Sequence, residues 1–250
     1  MPIPANDPMV AVPMVTPFDA SDRIDFDAAQ RNVDRWCQTA NRVFIIGSQS
    51  GEEFMMSEPE RVELLRCVTG ALVGERVTAG GIDAPSVVET LRQAERYAEA
   101  GAELVRIRFP RIESEVVPYF EQVIPRCPVP VLLMHQSSPA SFGVAAKPAG
   151  PPELLGDVAS MDGVFGYVTD HDMRFEARVR RFVPKDKRFW ICNGSMILSG
   201  TLIGYNGTTT AFSNIWPDAL QQLLEPVSYT HLRAHETSLH IVCRRLLEKK

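Results

Sequence analysis

The stretch Arg76–Phe109, RVTAGGIDAPSVVETLRQAERYAEAGAELVRIRF, predicts a strand, a helix and a second strand. Its two ends are apolar runs of strand length, and the segment between them places Val88, Leu91 and Ala94 at the spacing of one helix face. Gly101 follows at a position where glycine commonly ends a helix. A connection of this length joins parallel strands, so the unit predicts a parallel sheet with helices packed against it.

Similar apolar runs recur along the whole chain, and they number eight. They are VAVPMVTPF from Val10, RVFIIG from Arg42, RVTAGGI from Arg76, ELVRIRF from Glu103, PVLLM from Pro130, GVFGYV from Gly163, FWIC from Phe189 and GTTTAF from Gly207. Eight strands alternating with helices favour a (β/α)8 TIM barrel, here expected over residues 1–226, above an open doubly wound sheet. No GxGxxG follows the first run, which also disfavours a dinucleotide-binding domain.

The composition excludes several classes of function. The chain has 250 residues and a net charge of -5, so it lacks the basic character of a nucleic-acid-binding protein. No apolar run is long enough to span a membrane, and the first residues do not resemble a signal peptide, so we expect a cytoplasmic protein. The five cysteines show no CxxC spacing, and neither a zinc site nor any cofactor is predicted.

Several motifs resemble one family in order and spacing. The segment Ile45–Arg61 (IIGSQSGEEFMMSEPER) resembles the GTTGE turn of the dihydrodipicolinate synthase and N-acetylneuraminate lyase family of class I aldolases, with the following Ser and Glu-Arg. Further similarities are VPMVTPF from Val12, PVPVLL from Pro128 and GYNGTTTAFSNIWP from Gly204. The resemblance extends from about residue 10 to about residue 225, and it implies a lyase or aldolase acting on pyruvate or a related 2-keto acid.

The resemblance also implies site residues. Members of the family form a Schiff base between a strand-six lysine and the keto acid, and Val168 stands at that position here. The relay tyrosine of strand five corresponds to Met134 or His135. Gln49 and Ser50 correspond to the two hydroxyl residues that hold the substrate carboxylate. The lysine Schiff-base mechanism is therefore not expected at strand six, and His135 remains as a candidate catalytic residue.

Two further residues are candidates from their positions in the predicted barrel. Lys147 follows strand five on the catalytic side and could be a relocated Schiff-base lysine, although an ordinary surface lysine is the competing interpretation. Arg108 shares a face of strand four with Arg106, and this face is expected to point into the barrel. A buried arginine needs an anionic partner, so Arg108 either pairs with a carboxylate such as Glu52 or binds a keto acid.

Three functional hypotheses remain open on these residues. The first is a lyase of the family. The second is a catalytically silent relative, a pseudoenzyme that binds a small anion through Ser50 and Arg108. The third is a metal-assisted aldolase or hydrolase, with a divalent ion polarising a carbonyl. Its ligands would come from a set of imidazole and carboxylate residues at strand ends: Glu52, Asp83, His135, Asp170, His171 and Asp172. Helix capping by Asp170 and Asp172 is the competing interpretation, and no metal ligand is assigned.

The last residues differ in character from the rest of the chain. Residues 227–250 resemble translated sequencing-adapter read-through, so we expect a non-native tail and give no function to its histidines. Family members continue into a C-terminal helical region that contributes to oligomers. The chain is therefore expected to lack this region beyond helix eight, and the full-length protein is expected to be a homo-oligomer.

Overall fold

Eight parallel strands close into one barrel in chain order. The structure is a computed structural model that describes residues 7–84, 86–136 and 147–229, with side chains described as far as residue 225. The strands are β1 (Met9–Pro13), β2 (Asn41–Ile46), β3 (Val77–Ile82), β4 (Leu104–Arg108), β5 (Val131–His135), β6 (Val164–Thr169), β7 (Arg188–Ile191) and β8 (Gly207–Thr209). Each strand overlaps one of the eight apolar runs, and the (β/α)8 TIM barrel is confirmed.

A helix follows each strand and packs on the outside of the barrel. The helices are α1 (Phe26–Trp36), α2 (Glu58–Ala71), α3 (Val87–Glu99), α4 (Glu113–Val123), α5 (Pro152–Ala159), α6 (Met173–Val179), α7 (Ile197–Thr201) and α8 (Pro217–Tyr229). Local sequence sets several of their starts. Ser57 and Glu60 form a reciprocal capping box before α2, and the Asp172 side chain accepts from two backbone N–H groups at the start of α6.

Alternation along the strands divides the buried apolar side chains into two clusters. The larger cluster fills the layer between strands and helices and includes Leu133 and Tyr167. The smaller cluster fills the barrel interior and includes Met134, Val168 and Trp190. Successive residues of a strand therefore point alternately into the barrel and towards the helices.

The barrel closes where β1 pairs with β8, at only three residue pairs, Met9 with Gly207, Val10 with Thr208 and Ala11 with Thr209. Asn214 reinforces this seam: its Nδ2 donates to Pro13 O at 3.0 Å, and its Oδ1 accepts from Val15 N at 3.2 Å. The residue thus ties the segment after β8 to the end of β1.

The carboxyl-terminal end of the chain is described in part. Helix α8 continues to Tyr229, three residues beyond the expected boundary at residue 226, and the rest of the expected tail, residues 230–250, lies outside the described residues. Within the described ranges, no helix has both the length and the apolar character needed to cross a lipid bilayer.

Candidate functional site at the barrel mouth

A cavity of about 180 Å³ opens at the carboxyl ends of the strands. This mouth cavity is where (β/α)8 barrels place their active sites. Its lining residues come from strand ends and the loops that follow them: Pro13, Ile45, Ser48, Gln49, Ser50, Arg106, Arg108, Met134, Gln136, Asp170, Cys192, Thr209 and Ala211. Three of the residues predicted from the sequence, Gln49, Ser50 and Arg108, therefore line one cavity.

The turn after β2 presents Gln49 and Ser50 to this cavity. A short 3-10 turn spans Gln49–Gly51, and Gly51 O accepts a hydrogen bond from Thr16 Oγ1 at 2.8 Å. A Cβ at Gly51 would collide with Met14 O, so the close approach of the turn to β1 requires glycine. Gln136 Nε2 donates to Gln49 Oε1 at 3.2 Å, which links the ends of β5 and β2 across the mouth.

Two arginines and two carboxylates form a buried cluster beside this turn, which we call the mouth quartet: Arg106, Arg108, Glu53 and Asp83. Arg106 Nη2 lies 2.7 Å from Glu53 Oε2 and 3.3 Å from Asp83 Oδ2. Arg108 Nη2 pairs with Glu53 Oε1, and its Nε lies 2.5 Å from Asp83 Oδ1. Arg106 Nη2 also donates to Gly47 O at 2.8 Å. Each guanidinium therefore contacts both carboxylates.

Burial and mutual charge act on all members of the quartet. Desolvation raises the pKa of Glu53, and repulsion from Asp83 adds to this against the attraction of Arg106 and Arg108. At Asp83 burial acts in the same direction, but the two arginines outweigh it and lower the pKa of that carboxyl. The two acids therefore differ: Asp83 is the more stable anion, and Glu53 is the more readily protonated.

The partner of Arg108 differs from the residue expected. Glu52 is the carboxylate predicted from the sequence, but Glu52 is exposed and the neighbouring Glu53 is buried against both arginines. The cause is local backbone geometry, because Glu52 has φ +56° and ends the 3-10 turn in the left-handed region. This conformation reverses the chain direction, so the next side chain enters the barrel.

The structure separates the two candidates on strand five. Met134 belongs to the interior cluster and lines the mouth cavity, whereas His135 points to the layer between β5 and α6. Val168 is fully buried in the interior, in register with Met134 on β5 and Trp190 on β7. An apolar side chain thus fills the strand-six position that the resemblance connects with the Schiff base.

His135 takes part in a buried polar cluster with Tyr167, Thr169 and Glu176. Glu176 Oε1 accepts from Thr169 Oγ1 at 3.0 Å and from Tyr167 O–H at 3.1 Å, and it lies 3.0 Å from His135 Nδ1. The Ala149 N–H donates to His135 Nε2 at 3.1 Å. This bond assigns the proton of a neutral His135 to Nδ1.

The pKa values in this cluster follow from its burial. Desolvation lowers the pKa of His135 to about 3 and raises the pKa of Glu176 to about 7. His171 stacks on His135 with ring centroids 4.0 Å apart, and burial together with the neighbouring imidazole lowers its pKa to about 4. Both imidazoles are therefore neutral at physiological pH. The catalytic role of His135 stays a prediction.

Lys147 is exposed and does not belong to the lining of the mouth cavity. Lys147 lies two residues before Ala149, whose N–H donates to His135 at the end of β5. Its backbone is therefore on the catalytic side of the barrel. Lys187 donates to Met161 O and Val164 O beside the start of β6, which is the opposite end. Among the described residues, the lining of the mouth cavity contains no lysine.

The residues named for a metal-assisted reaction do not converge. His135 contacts Glu176 outside the barrel wall, Asp83 pairs with the two arginines, and Asp172 caps α6. In the described ranges, no group of three or more His, Cys, Asp or Glu side chains is arranged to hold a metal ion. Asp170 lines the mouth cavity, and the residue that caps α6 is Asp172.

The fold and the site together define a class of protein: a (β/α)8 barrel with a small cavity, lined by both polar and apolar residues, at the carboxyl ends of its strands. Such a cavity is suited to a small-molecule ligand. Residues 8–249 match the dihydrodipicolinate synthetase family, and the chain belongs to that family. Membership supports a lyase or aldolase function on this scaffold.

Individual relatives are distant. The 4-hydroxy-tetrahydrodipicolinate synthase of Exiguobacterium sp. is 22% identical over 233 residues, which cover 91% of this chain and 78% of that protein. A second such synthase, from Acidothermus cellulolyticus, is 30% identical over 150 residues, covering 58% of this chain and 48% of its own length.

Solved structures have the same fold. Dihydrodipicolinate synthase from Acinetobacter baumannii, determined in complex with pyruvate, has a TM-score of 0.80 at 14% identity, covering 93% of this chain and 79% of that one. The enzyme from Cyanidioschyzon merolae, with lysine bound, has a TM-score of 0.79 at 20% identity, covering 95% and 80%.

Proposed function

We propose that this protein binds pyruvate or a related 2-keto acid in the mouth cavity, with the carboxylate held by Ser50, Gln49 and Arg108. The observation that carries the proposal is the convergence of these three residues on one cavity of about 180 Å³. That volume corresponds to roughly six water molecules at ~30 Å³ each, a size that suits a small keto acid. Hydroxyl, amide and guanidinium donors are the groups that recognise a carboxylate.

We do not expect this protein to form a Schiff base at strand six. The Schiff-base route needs an amine within reach of the keto carbon, and Val168 supplies none. We therefore favour a relative that binds a 2-keto acid without forming an iminium at strand six. The separation of His135, Asp83 and Asp172 gives no support to the metal-assisted alternative.

A lyase that uses Lys147 is the second candidate function. The Ala149 N–H donates a hydrogen bond to His135 at the end of β5. Lys147 lies two residues before Ala149, so this bond supports a position of Lys147 on the catalytic side of the barrel. In this alternative Lys147 is the nucleophile and His135 the proposed catalytic partner. A cytoplasmic location remains a prediction from the sequence, and a homo-oligomeric full-length protein remains a prediction from the resemblance.

Binding is tested by titrating the whole chain with pyruvate in a calorimeter. We expect measurable affinity in the wild type, and at least a tenfold loss, about 1.4 kcal/mol, in Arg108→Met because the charged donor is removed. Ser50→Ala provides a milder second variant, with a loss of about 1 kcal/mol for one neutral hydrogen bond. Arg111→Met is the matched control, since Arg111 is exposed and lies outside the mouth cavity. Equal affinity in all four proteins would contradict the proposed site.

The chemistry is tested by intact-mass spectrometry after incubation with pyruvate and borohydride. We expect no covalent adduct, with a family member that has the strand-six lysine reacting in parallel as the positive control. An adduct mapped to Lys147 by peptide analysis, and lost in Lys147→Arg, would instead establish the lyase alternative.

A further inference from the structure

The mouth quartet balances its charges without a ligand, and this creates a problem for anion binding. Two guanidinium groups face two carboxylates in a site where all four side chains are at most 11% exposed. A ligand carboxylate beside Arg106 and Arg108 would bring a third negative charge to two positive ones. Charge that is buried without compensation is costly, so a change in protonation is the direct remedy.

We propose that the Glu53–Asp83 pair takes up one proton from solvent when a carboxylate binds in the mouth cavity, so that affinity for the anion rises as the pH falls. This inference rests on the proposed function, because it concerns the same cavity. No bond other than the O–H bond of one carboxyl group forms, and the proton restores a balance of two positive and two negative charges. Glu53 and Asp83 then act as positioning residues that set the anion affinity of the site.

The geometry supports a shared proton. Glu53 and Asp83 both contact Arg106 Nη2, at 2.7 and 3.3 Å, so the two carboxyl groups lie side by side around one guanidinium. Burial and the neighbouring Asp83 raise the pKa of Glu53, whereas the two arginines lower the pKa of Asp83 against its own burial. Two carboxyl groups this close resist full ionisation together.

Three other titratable side chains around the pair are uncharged near neutral pH. Burial raises the pKa of Tyr97 on α3, of Tyr119 on α4 and of Cys192 after β7, so these three remain neutral. The remaining charged groups that face the pair or its neighbours are Arg61 and Glu58 on α2, Asp170 after β6, and Arg111 and Glu115 in the cavity beside Asp83. Of the two carboxyl groups in the pair, Glu53 is the more readily protonated.

The test measures protons directly. Pyruvate is titrated into the whole chain in buffers of different ionisation enthalpy from pH 5.5 to 8.5, and the buffer dependence of the heat gives the number of protons taken up. We expect uptake approaching one proton per ligand at the alkaline end, with Kd rising by up to about tenfold per pH unit over the same range. Glu53→Gln keeps the side-chain shape but removes the titration, so its uptake falls towards zero and its Kd becomes less dependent on pH.

Two further variants test whether the proton binds to the Glu53–Asp83 pair. Asp83→Asn removes the second acid and is expected to reduce the uptake in the same way. Glu52→Gln, an identical change at the adjacent exposed residue, is expected to leave uptake and Kd unchanged. Thermal melts confirm that each variant is folded, and the measurement on the wild type needs no variant.

The outcomes separate this inference from the proposed function. Pyruvate binding in the wild type without proton uptake would overturn the inference alone. Uptake that persists in both Glu53→Gln and Asp83→Asn would also overturn it, since the proton would then belong to another group. Absence of pyruvate binding at every pH would overturn the proposed function together with the inference.

Discussion

At the residue scale, Gly81 allows the mouth quartet to assemble. A Cβ at this position would collide with Gly47 O and would lie 2.6 Å from Arg106 Nη2. The same two groups form the 2.8 Å hydrogen bond that orients Arg106. The missing side chain in β3 therefore makes room for the guanidinium of β4.

Gly81→Ala is expected to destabilise the protein by about 1–3 kcal/mol, because the backbone of Gly47 after β2 or the Arg106 side chain must move to admit the methyl group. Pyruvate affinity should fall as well, since Arg108 shares both carboxylates with Arg106. Gly70→Ala is the matched control: no atom of the described residues lies within 4 Å of a Cβ there, and the position is exposed in α2. A gain of up to about 1 kcal/mol is expected for the control from its helical propensity. Urea unfolding measures both changes, and equal effects would contradict the steric argument.

Residue-scale features of the site were predictable to different degrees. Strand alternation is sufficient to turn Arg106 and Arg108 inwards, because Val105 and Ile107 occupy the outer face of β4. The same alternation in β5 predicts that His135 points outwards if Met134 points inwards, because the two residues are successive. The sequence does not predict that Glu53, and not Glu52, pairs with the arginines, because this depends on a left-handed residue in an irregular turn.

At the scale of elements, α6 is attached to the barrel through polar contacts as well as apolar ones. The fully buried Glu176 reaches from α6 to Tyr167 and Thr169 on β6 and to His135 on β5. The eight strands could be located from the sequence because each buried strand is a continuous apolar run. The polar attachment of α6 could not be predicted from the sequence, since nothing in the sequence of a short helix shows that its acidic residue faces inwards.

The raised pKa of Glu176 predicts a specific pH dependence of stability. Between its ordinary value of 4.5 and about 7, the folded protein retains a proton that the unfolded chain releases. The contribution of Glu176 to the free energy of unfolding is therefore highest below pH 4.5. It decreases by up to about 3 kcal/mol as the pH rises to about 7. The lowered pKa values of His135 and His171 act in the opposite direction below pH 6.5.

Glu176→Gln isolates the carboxyl contribution because the histidines remain. We expect the free energy of unfolding of this variant, minus that of the wild type, to increase between pH 5 and 7.5. Denaturant titrations at several pH values measure the difference. Glu121→Gln, at an exposed position of α4, is the control and should give a constant difference. A constant difference for Glu176→Gln as well would show that the buried carboxyl does not titrate in this range.

At the scale of the whole molecule, closure of the barrel depends on the short seam between β1 and β8. Asn214 adds two side-chain hydrogen bonds across it, and its backbone carbonyl accepts from Trp36 Nε1 on α1 at 3.0 Å. Asn214→Ala removes both of these bonds and a third, from Nδ2 to Ala211 O at 3.2 Å. At about 1 kcal/mol each, the two seam bonds alone predict a loss of about 2 kcal/mol. For a chain of this size the melting temperature should fall by about 4–8 °C. Within the described residues, the control Asn193→Ala loses only bonds to Ser195, two residues away, and should have a smaller effect. Because the seam joins the first strand to the last, hydrogen exchange in Asn214→Ala should increase in β1 and β8 before it increases in β4 and β5. A uniform increase across all strands would indicate that closure is not the weak point of this barrel.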